Sequence, residues 1–375
     1  MIITPHTLSL LVTKRCTAAC DHCCFTCNPE RTEAIPIPNL YKYIEQATIF
    51  PTMRVVVFTG GECFLLGKEL DNLVKWADGF GFITRFVSNG YWATSRATAV
   101  KRLQKLKDAG LKEANFSTGD CHAEYVKPEY VRNGAMAAVD LGITSVIACE
   151  VFKGSHFKLD EFMADKEFYS LVDQGKIILR LSPWMRFEGK RTLNQTDTYL
   201  NVMRDDRVAG GACSTALKVL AITAEEDLIA CCGLTMDYIE EVHLGSLKNE
   251  TIGQIVRRLP DDFIKIWIHL YGPDAVIRYA QKLDPTIERP EQMAHICDVC
   301  RYMYNHPRIQ EVVAATPPPN MRQILDQYYQ SLMVPTPNAE HQHAIVSQGI
   351  GNTNKALREM HRMAVGQEPK KCCTV

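Results

Sequence analysis

The sequence predicts an α/β fold: a partial (β/α)6 barrel of the TIM type, then a small β-hairpin-plus-helix unit, then C-terminal helices. Three observations predict it. Apolar, strand-like runs alternate with helix-like segments from residue 7 to about 182. The runs are rich in β-branched residues, as strands buried on both faces of a parallel sheet are. Four successive runs end in polar or glycine-rich sequence, so all four deliver it to one rim, the carboxyl end of the strands, where such folds carry their chemistry.

The strands read TLSLLVT (7–13), RVVVFTG (54–60), FITRFVS (82–88), EANFST (113–118), ITSVIACEVF (143–152) and KIILRLS (176–182). Helices are expected over 39–50, 68–80, 95–109, 130–141 and 159–174, each starting after Pro or Ser or stopping near Gly. Beyond about 183 the alternation fades. A polar irregular stretch (186–211) precedes a hairpin, ALKVLAIT and DLIACCG around EED. Helices are expected at 251–259 and 261–282, a loop around Cys297–Cys300, then helices at 319–332 and 353–365 with a linker-like VPTPNAEHQH between them. The expected domains are therefore 1–185, 186–315 and 316–375.

Of 375 residues, 46% are hydrophobic and 23% charged, and the net charge is −1. This balance gives no reason to expect a nucleic acid or an anionic membrane as partner, and no run approaches a membrane span. The first residues read as a strand and not as an export signal, so the expected location is the cytoplasm. There, fifteen cysteines point to metal or redox chemistry sooner than to disulfides. Cys149, inside SVIACEVF, reads as a packing residue.

Cys16, Cys20 and Cys23 form C-x3-C-x2-C directly after the first strand. Three thiolates on one short loop can each meet a different iron of a cubane cluster and leave the fourth iron open to a substrate or cofactor. A structural zinc or cluster site normally closes every position. Gly60-Gly61-Glu62 follows the second strand, Ser88-Asn89-Gly90 the third and Ser117-Thr118-Gly119-Asp120-Cys121-His122 the fourth.

These residues resemble the radical S-adenosylmethionine (radical SAM) superfamily over roughly residues 7–182. The resemblance implies a [4Fe-4S] cluster on the three cysteines, with the methionine amino and carboxylate groups of SAM on the open iron. It implies reductive cleavage of SAM to a 5′-deoxyadenosyl radical that removes a substrate hydrogen, with a one-electron reductant such as flavodoxin or ferredoxin. His22 stands where the family has an aromatic next to the third cysteine. Gly60, Gly61 and Glu62 match the second-strand motif that receives the methionine ammonium. Ser88 and Asn89 match residues near the ribose, and Ser117 and Asp120 match a polar fourth-strand end facing the same ligand. Cys24 and Cys27 are not needed by the motif and are expected not to ligate. Glu150, Arg180 and Trp184 read as substrate contacts or as structural residues.

Cys213, Cys231, Cys232, Cys297 and Cys300 form a second set. The hairpin brings Cys213 and Cys231 together, and C-x2-C adds two ligands. Four thiolates close a cluster, and zinc fits them equally well; the upstream cysteines favour iron. The arrangement resembles the twitch half of SPASM/twitch domains, as in the dehydrogenase of butirosin biosynthesis. That implies one auxiliary [4Fe-4S] cluster on Cys213, Cys231, Cys297 and Cys300, with Cys231 favoured over Cys232 by spacing. Glu226 stands where that pattern has Gly. The terminal Cys372-Cys373-Thr374-Val375 fits a prenylation box formally but reads as a solvated tail.

The expected function is modification of a ribosomally made peptide by crosslink, thioether or epimerisation. The alternatives are two-electron dehydrogenation of a small alcohol or sugar, and a non-catalytic Fe-S or zinc protein that carries electrons or serves as a framework.

Overall fold

The computed structural model of the protein describes residues 1–151, 156–183, 211–289, 293 and 295–333. Trp184, most of the expected irregular stretch, the linker, the helix at 353–365 and Cys372-Cys373 lie outside the described residues.

The six expected strands form as β1 (Thr7–Leu11), β2 (Val55–Thr59), β3 (Ile83–Ser88), β4 (Leu111–Thr118), β5 (Thr144–Val151) and β6 (Ile177–Pro183), each parallel to the next. Parallel strands need crossovers, and the chain supplies helices: α1 (Ile37–Ala47), α2 (Lys68–Gly79), α3 (Arg96–Asp108), α4 (Asp120–Ala123), α5 (Pro128–Asp140), α6 (Leu159–Phe162) and α7 (Lys166–Asp173). Local chemistry sets their starts. Proline occupies the first turn of α1 and α5, Ser95 Oγ accepts from Thr98 N at α3, and Asp165 accepts from Phe168 N at α7. Asp165 also explains a departure from expectation. The helix expected over 159–174 is two helices, because the second has its own cap.

Alternation along the strands separates two faces. Leu8, Phe58, Phe86, Phe116, Ile147 and Leu179 are fully buried on the helix-covered face; each such side chain contributes roughly 1.5–3 kcal/mol. Thr59, Val87, Ser117 and Ala148 stand on the other face, where the cavity described below opens.

The hairpin does not stand apart from the barrel. Its strands β7 (Val219–Ile222) and β8 (Asp227–Ile229), with an unexpected β9 (His243–Ser246), continue the same sheet in the order β6-β5-β4-β3-β2-β1-β7-β8-β9. β7 lies parallel to β1, Leu8 opposite Leu220, and β8 and β9 pair antiparallel.

Six helices follow: α8 (Ile252–Arg258), α9 (Phe263–Tyr271), α10 (Pro273–Leu283), α11 (Ile296–Asn305), α12 (Pro307–Ala315) and α13 (Met321–Met333). A reciprocal Thr251–Gln254 capping box starts α8. The single helix expected at 261–282 is broken at Gly272, φ +80°, where a Cβ would meet Gly211 O at 2.0 Å and Pro273 restarts the helix. Cys297 and Cys300, expected in a loop, sit in the first two turns of α11, capped by His295. α13 returns to the N-terminus, where Tyr328 Oη donates to Ile2 O at 2.9 Å.

Candidate functional site

The loop after β1 is closed at its base before it reaches its cysteines. Thr13 bridges Ala34 and Arg15 bridges Asn28; Cys16 N donates to Asn28 O at 3.0 Å, and Lys14 N to Glu33 O at 2.8 Å. Within it, Cys23 N donates to Cys20 O at 3.0 Å. Cys20 is buried against Ala18 and Cys121, with Cys16 and Cys23 packed on the same small cluster. The three thiols thus converge and line a cavity of about 290 Å³ at the carboxyl rim.

Gly60 and Gly61 line this cavity, but their freedom serves the cysteine loop. Gly61 N donates to Thr13 O at 2.6 Å and Glu62 N to Arg15 O at 3.0 Å. A Cβ on Gly60 (φ +124°) would lie 2.5 Å from Thr13 O, and one on Gly61 2.2 Å from Arg15 O. Only glycine lets two backbones meet this closely. Glu62 is fully buried, outside the cavity lining. Its carboxylate accepts from Phe64 N, Ser88 Oγ and Asn89 N, each at 3.0 Å. Burial pushes its pKa up to about 7 against the pull of those donors. It ties β2 to β3 and thereby sets Asn89.

Asn89 Nδ2 donates to Thr17 Oγ1 at 3.0 Å and to Cys16 Sγ at 3.7 Å. Ser88 and Ser117 line the cavity. Asp120 does not. It opens α4 and accepts from Phe157 N at 2.6 Å, so it holds the segment after β5, and it is not among the residues that line the cavity.

Glu150, read beforehand only as a substrate contact or structural residue, proves central. It is 5% exposed at the end of β5 and accepts from Cys121 N at 2.6 Å. His22 Nε2 is bonded to its Oε2, and His122 Nδ1 lies 3.4 Å from the same oxygen. The two imidazoles meet edge to face, centroids 4.9 Å apart. Burial would raise the Glu150 pKa; hydrogen bonds from His122 and His22 overcome this and hold the carboxyl well below its usual range. Gly119, at φ +135°, makes room: a Cβ there would stand 2.1 Å from Glu150 Cγ. The signal for this cluster was the Cys121-His122 dipeptide at the fourth strand's end; Glu150 was hidden in an apolar run.

The donor set fits a thiolate-ligated metal group. Burial pushes Cys16 to about 11 and raises Cys20 further, so these thiols ionise readily only with a cationic centre among them. Among the lining residues, His22 Nδ1 and Thr118 Oγ1 are buried without a hydrogen-bond or ion-pair partner among the described residues, while His122 Nδ1 and Glu150 Oε2 face one another at 3.4 Å. The cavity therefore offers polar contacts to a bound organic group as well.

At the second set, burial pushes Cys231 up to about 12 and Cys297 up to about 11, and each feels the Cys213 thiol; Cys300 feels Cys231, Cys213 and Cys297. Gly233 sits between Cys297 and Cys231: a Cβ there would be 3.2 and 3.7 Å from their sulfurs. The Cys232 thiol is engaged elsewhere, donating to Ser9 Oγ on β1 at 3.3 Å.

The chain thus carries a run of parallel strands in sequence order and a three-cysteine loop directly after β1 that lines a cavity. No family model matches it. It is similar to YydG of Bacillus subtilis (strain 168), a protein named for peptide biosynthesis, at 28% identity over 127 residues, 34% of this chain and 40% of that one. It is similar to the GTP 3′,8-cyclase of Aliarcobacter butzleri (strain RM4018) at 31% over 160 residues, 39% and 47% of the two chains. The matched parts thus span less than half of these relatives. Among solved structures, anSMEcpe with bound AdoMet aligns with 83% of this chain and 100% of its own (11% identity, TM-score 0.46). Streptococcus suis SuiB bound to S-adenosylmethionine aligns with 69% and 65% (14%, 0.47). BtrN in complex with AdoMet and 2-DOIA aligns with 68% and 82% (17%, 0.38). No helix of the described residues is long and apolar enough to cross a membrane.

Proposed function

We propose that the protein is a radical SAM enzyme that modifies a ribosomally made peptide. The observation that carries this reading is the convergence of Cys16, Cys20 and Cys23 on a cavity whose wall is the Gly60-Gly61 turn. A [4Fe-4S] cluster on those thiolates, with SAM on its open iron, would supply a 5′-deoxyadenosyl radical for hydrogen abstraction once a one-electron reductant had acted.

The chain's own residues divide the remaining work. The Gly60-Gly61 backbone locks the cysteine loop against β2 and leaves its cavity-side atoms to the ligand's polar end. Glu62 acts from behind the wall by fixing Ser88 and Asn89, so receipt of an ammonium falls to the backbone of Gly60 and Gly61. Asn89 and Ser117 present polar groups to the rest of the ligand. Glu150 holds His22 and, with it, the loop between the second and third cysteine. Cys213, Cys231, Cys297 and Cys300 would hold one auxiliary cluster with all positions closed, within a segment (186–315) whose strands share the barrel's sheet. The likeness to YydG, named for peptide biosynthesis, supports a peptide as substrate.

The test is anaerobic reconstitution with SAM and dithionite. Wild type should form 5′-deoxyadenosine, and the triple variant Cys16→Ala/Cys20→Ala/Cys23→Ala should form none. Equal product from the two would refute the reading.

A further inference from the structure

Beside the ligand loop lies a turn that the metal set itself does not need. Thr26 sits at φ +51°, a conformation that a β-branched residue adopts only when its surroundings hold it there. Two bonds do so: Thr26 N donates to Cys23 O at 3.2 Å, and the following Cys27 is buried, its thiol donating to Phe25 O at 3.7 Å. The result of the strained residue is that the Cys27 backbone N–H points at Cys23 Sγ, 3.4 Å away. Across the cavity Asn89 Nδ2 stands 3.7 Å from Cys16 Sγ, held by Tyr91 N donating to its own Oδ1 at 3.1 Å. Two of the three cysteine sulfurs thus each receive a fixed N–H, one from a turn and one from a side chain. Neither donor is required for metal binding, and the first is maintained against backbone strain.

We infer that the Thr26 turn and Asn89 set the reduction potential of the N-terminal iron-sulfur group, Cys27 N–H through Cys23 and Asn89 Nδ2 through Cys16. This rests on the reading of those cysteines as cluster ligands. Reduction adds negative charge that spreads onto the sulfurs, and an N–H directed at a sulfur favours the more negative state. Each donor therefore raises the potential and makes the one-electron reduction easier. Cys27 and Asn89 are positioning residues: they act on the iron through the ligands they touch. The Cys27 thiol also hydrogen-bonds Cys23; Cys27→Ala, which loses the thiol and keeps the N–H, separates its share from the backbone's.

The experiment uses the full chain, reconstituted anaerobically, with iron content measured and the midpoint potential followed by electron paramagnetic resonance. The signal that changes on adding SAM identifies the N-terminal group. Asn89→Ala and Cys27→Pro, which lacks the N–H, should each keep wild-type iron and make reduction about tenfold less favourable, a fall of about 59 mV for a one-electron couple. Thr26→Gly accepts the left-handed turn and keeps the donor, and Cys27→Ser keeps the N–H; both should titrate as wild type. Wild-type potentials in both Asn89→Ala and Cys27→Pro would overturn the inference, as would a Cys27→Ser shift equal to that of Cys27→Pro. Should Cys27→Pro fail to hold iron, Asn89→Ala decides alone. A wild-type protein without any SAM-responsive signal would bring down the functional reading as well, whereas unshifted variants with an intact signal bring down only the tuning.

Discussion

His22, between the second and third cysteine of the loop, is bonded through Nε2 to Glu150 at the end of β5. Residues 128 positions apart are therefore joined, and one carboxylate braces the loop from across the barrel rim. Replacing Glu150 by Ala leaves the half-buried His22 imidazole and the buried Cys121 N–H without their acceptor, at about 1–3 kcal/mol for the buried N–H and less for the imidazole. Urea unfolding should show that loss, and reconstitution should give less iron than wild type. Full stability and full iron in Glu150→Ala would show that the brace does nothing.

Gly61→Ala should be more damaging to the loop than to the sheet. The added methyl meets the backbone of Arg15 at 2.2 Å, and backbone cannot rotate away. Iron at the first site should fall sharply while the far-ultraviolet circular dichroism of the barrel stays near wild type. Retention of full iron would contradict the close approach.

Glu62 predicts a stability slope near neutrality. Its carboxyl keeps a proton to about pH 7 in the folded protein and releases it near 4.5 when unfolded. The folded state therefore binds more protons between those values, and its stability is complete below about pH 4.5, falls as the pH rises towards 7, and then levels. The total is about 3 kcal/mol. Denaturation of the metal-free protein at pH 5 and pH 8 measures it. Glu62→Gln, which cannot ionise, should flatten the slope.

The two adjacent cysteines of the hairpin should separate cleanly. Cys231→Ser should lose the iron of the second site, because the Cys231 sulfur stands with that of Cys297 about Gly233 and Cys213 and Cys300 are close enough to act on the pair. Cys232→Ser should retain it, and serine can still bond to Ser9. Equal iron loss in both would refute the assignment.

Asp120→Ala should leave SAM affinity unchanged and cost about 1 kcal/mol through the lost bond to Phe157 N. Weakened SAM binding at full stability would return this residue to the cavity.

What the sequence revealed was mostly local. Strand runs, caps and the C-x3-C-x2-C loop depend on residues a few positions apart, and each appears where the pattern places it. The Gly60-Gly61 turn was visible as a motif, but its partners, Thr13 and Arg15, lie more than forty positions earlier, so a contact that decides the loop's place could not be read from the turn itself. Asp120 was misplaced for a related reason: a carboxylate at a strand's end looks the same whether it faces a cavity or a backbone N–H. Glu150 sat within an apolar run that marked its strand as buried, and only the folded barrel shows that its partners are two histidines from other loops. The hairpin was expected as a separate unit because nothing in ALKVLAIT names the strand it will pair with.

That pairing bears on how the chain reaches its native state. β1 leaves the ribosome well before one of its two neighbours, β7, which is more than two hundred residues downstream. Until Val219–Ile222 arrives, Thr7–Leu11 offers a row of unpaired amide and carbonyl groups to any passing strand. A truncation ending after β6 would make that exposure permanent, and such a fragment should aggregate even though it contains the whole three-cysteine loop.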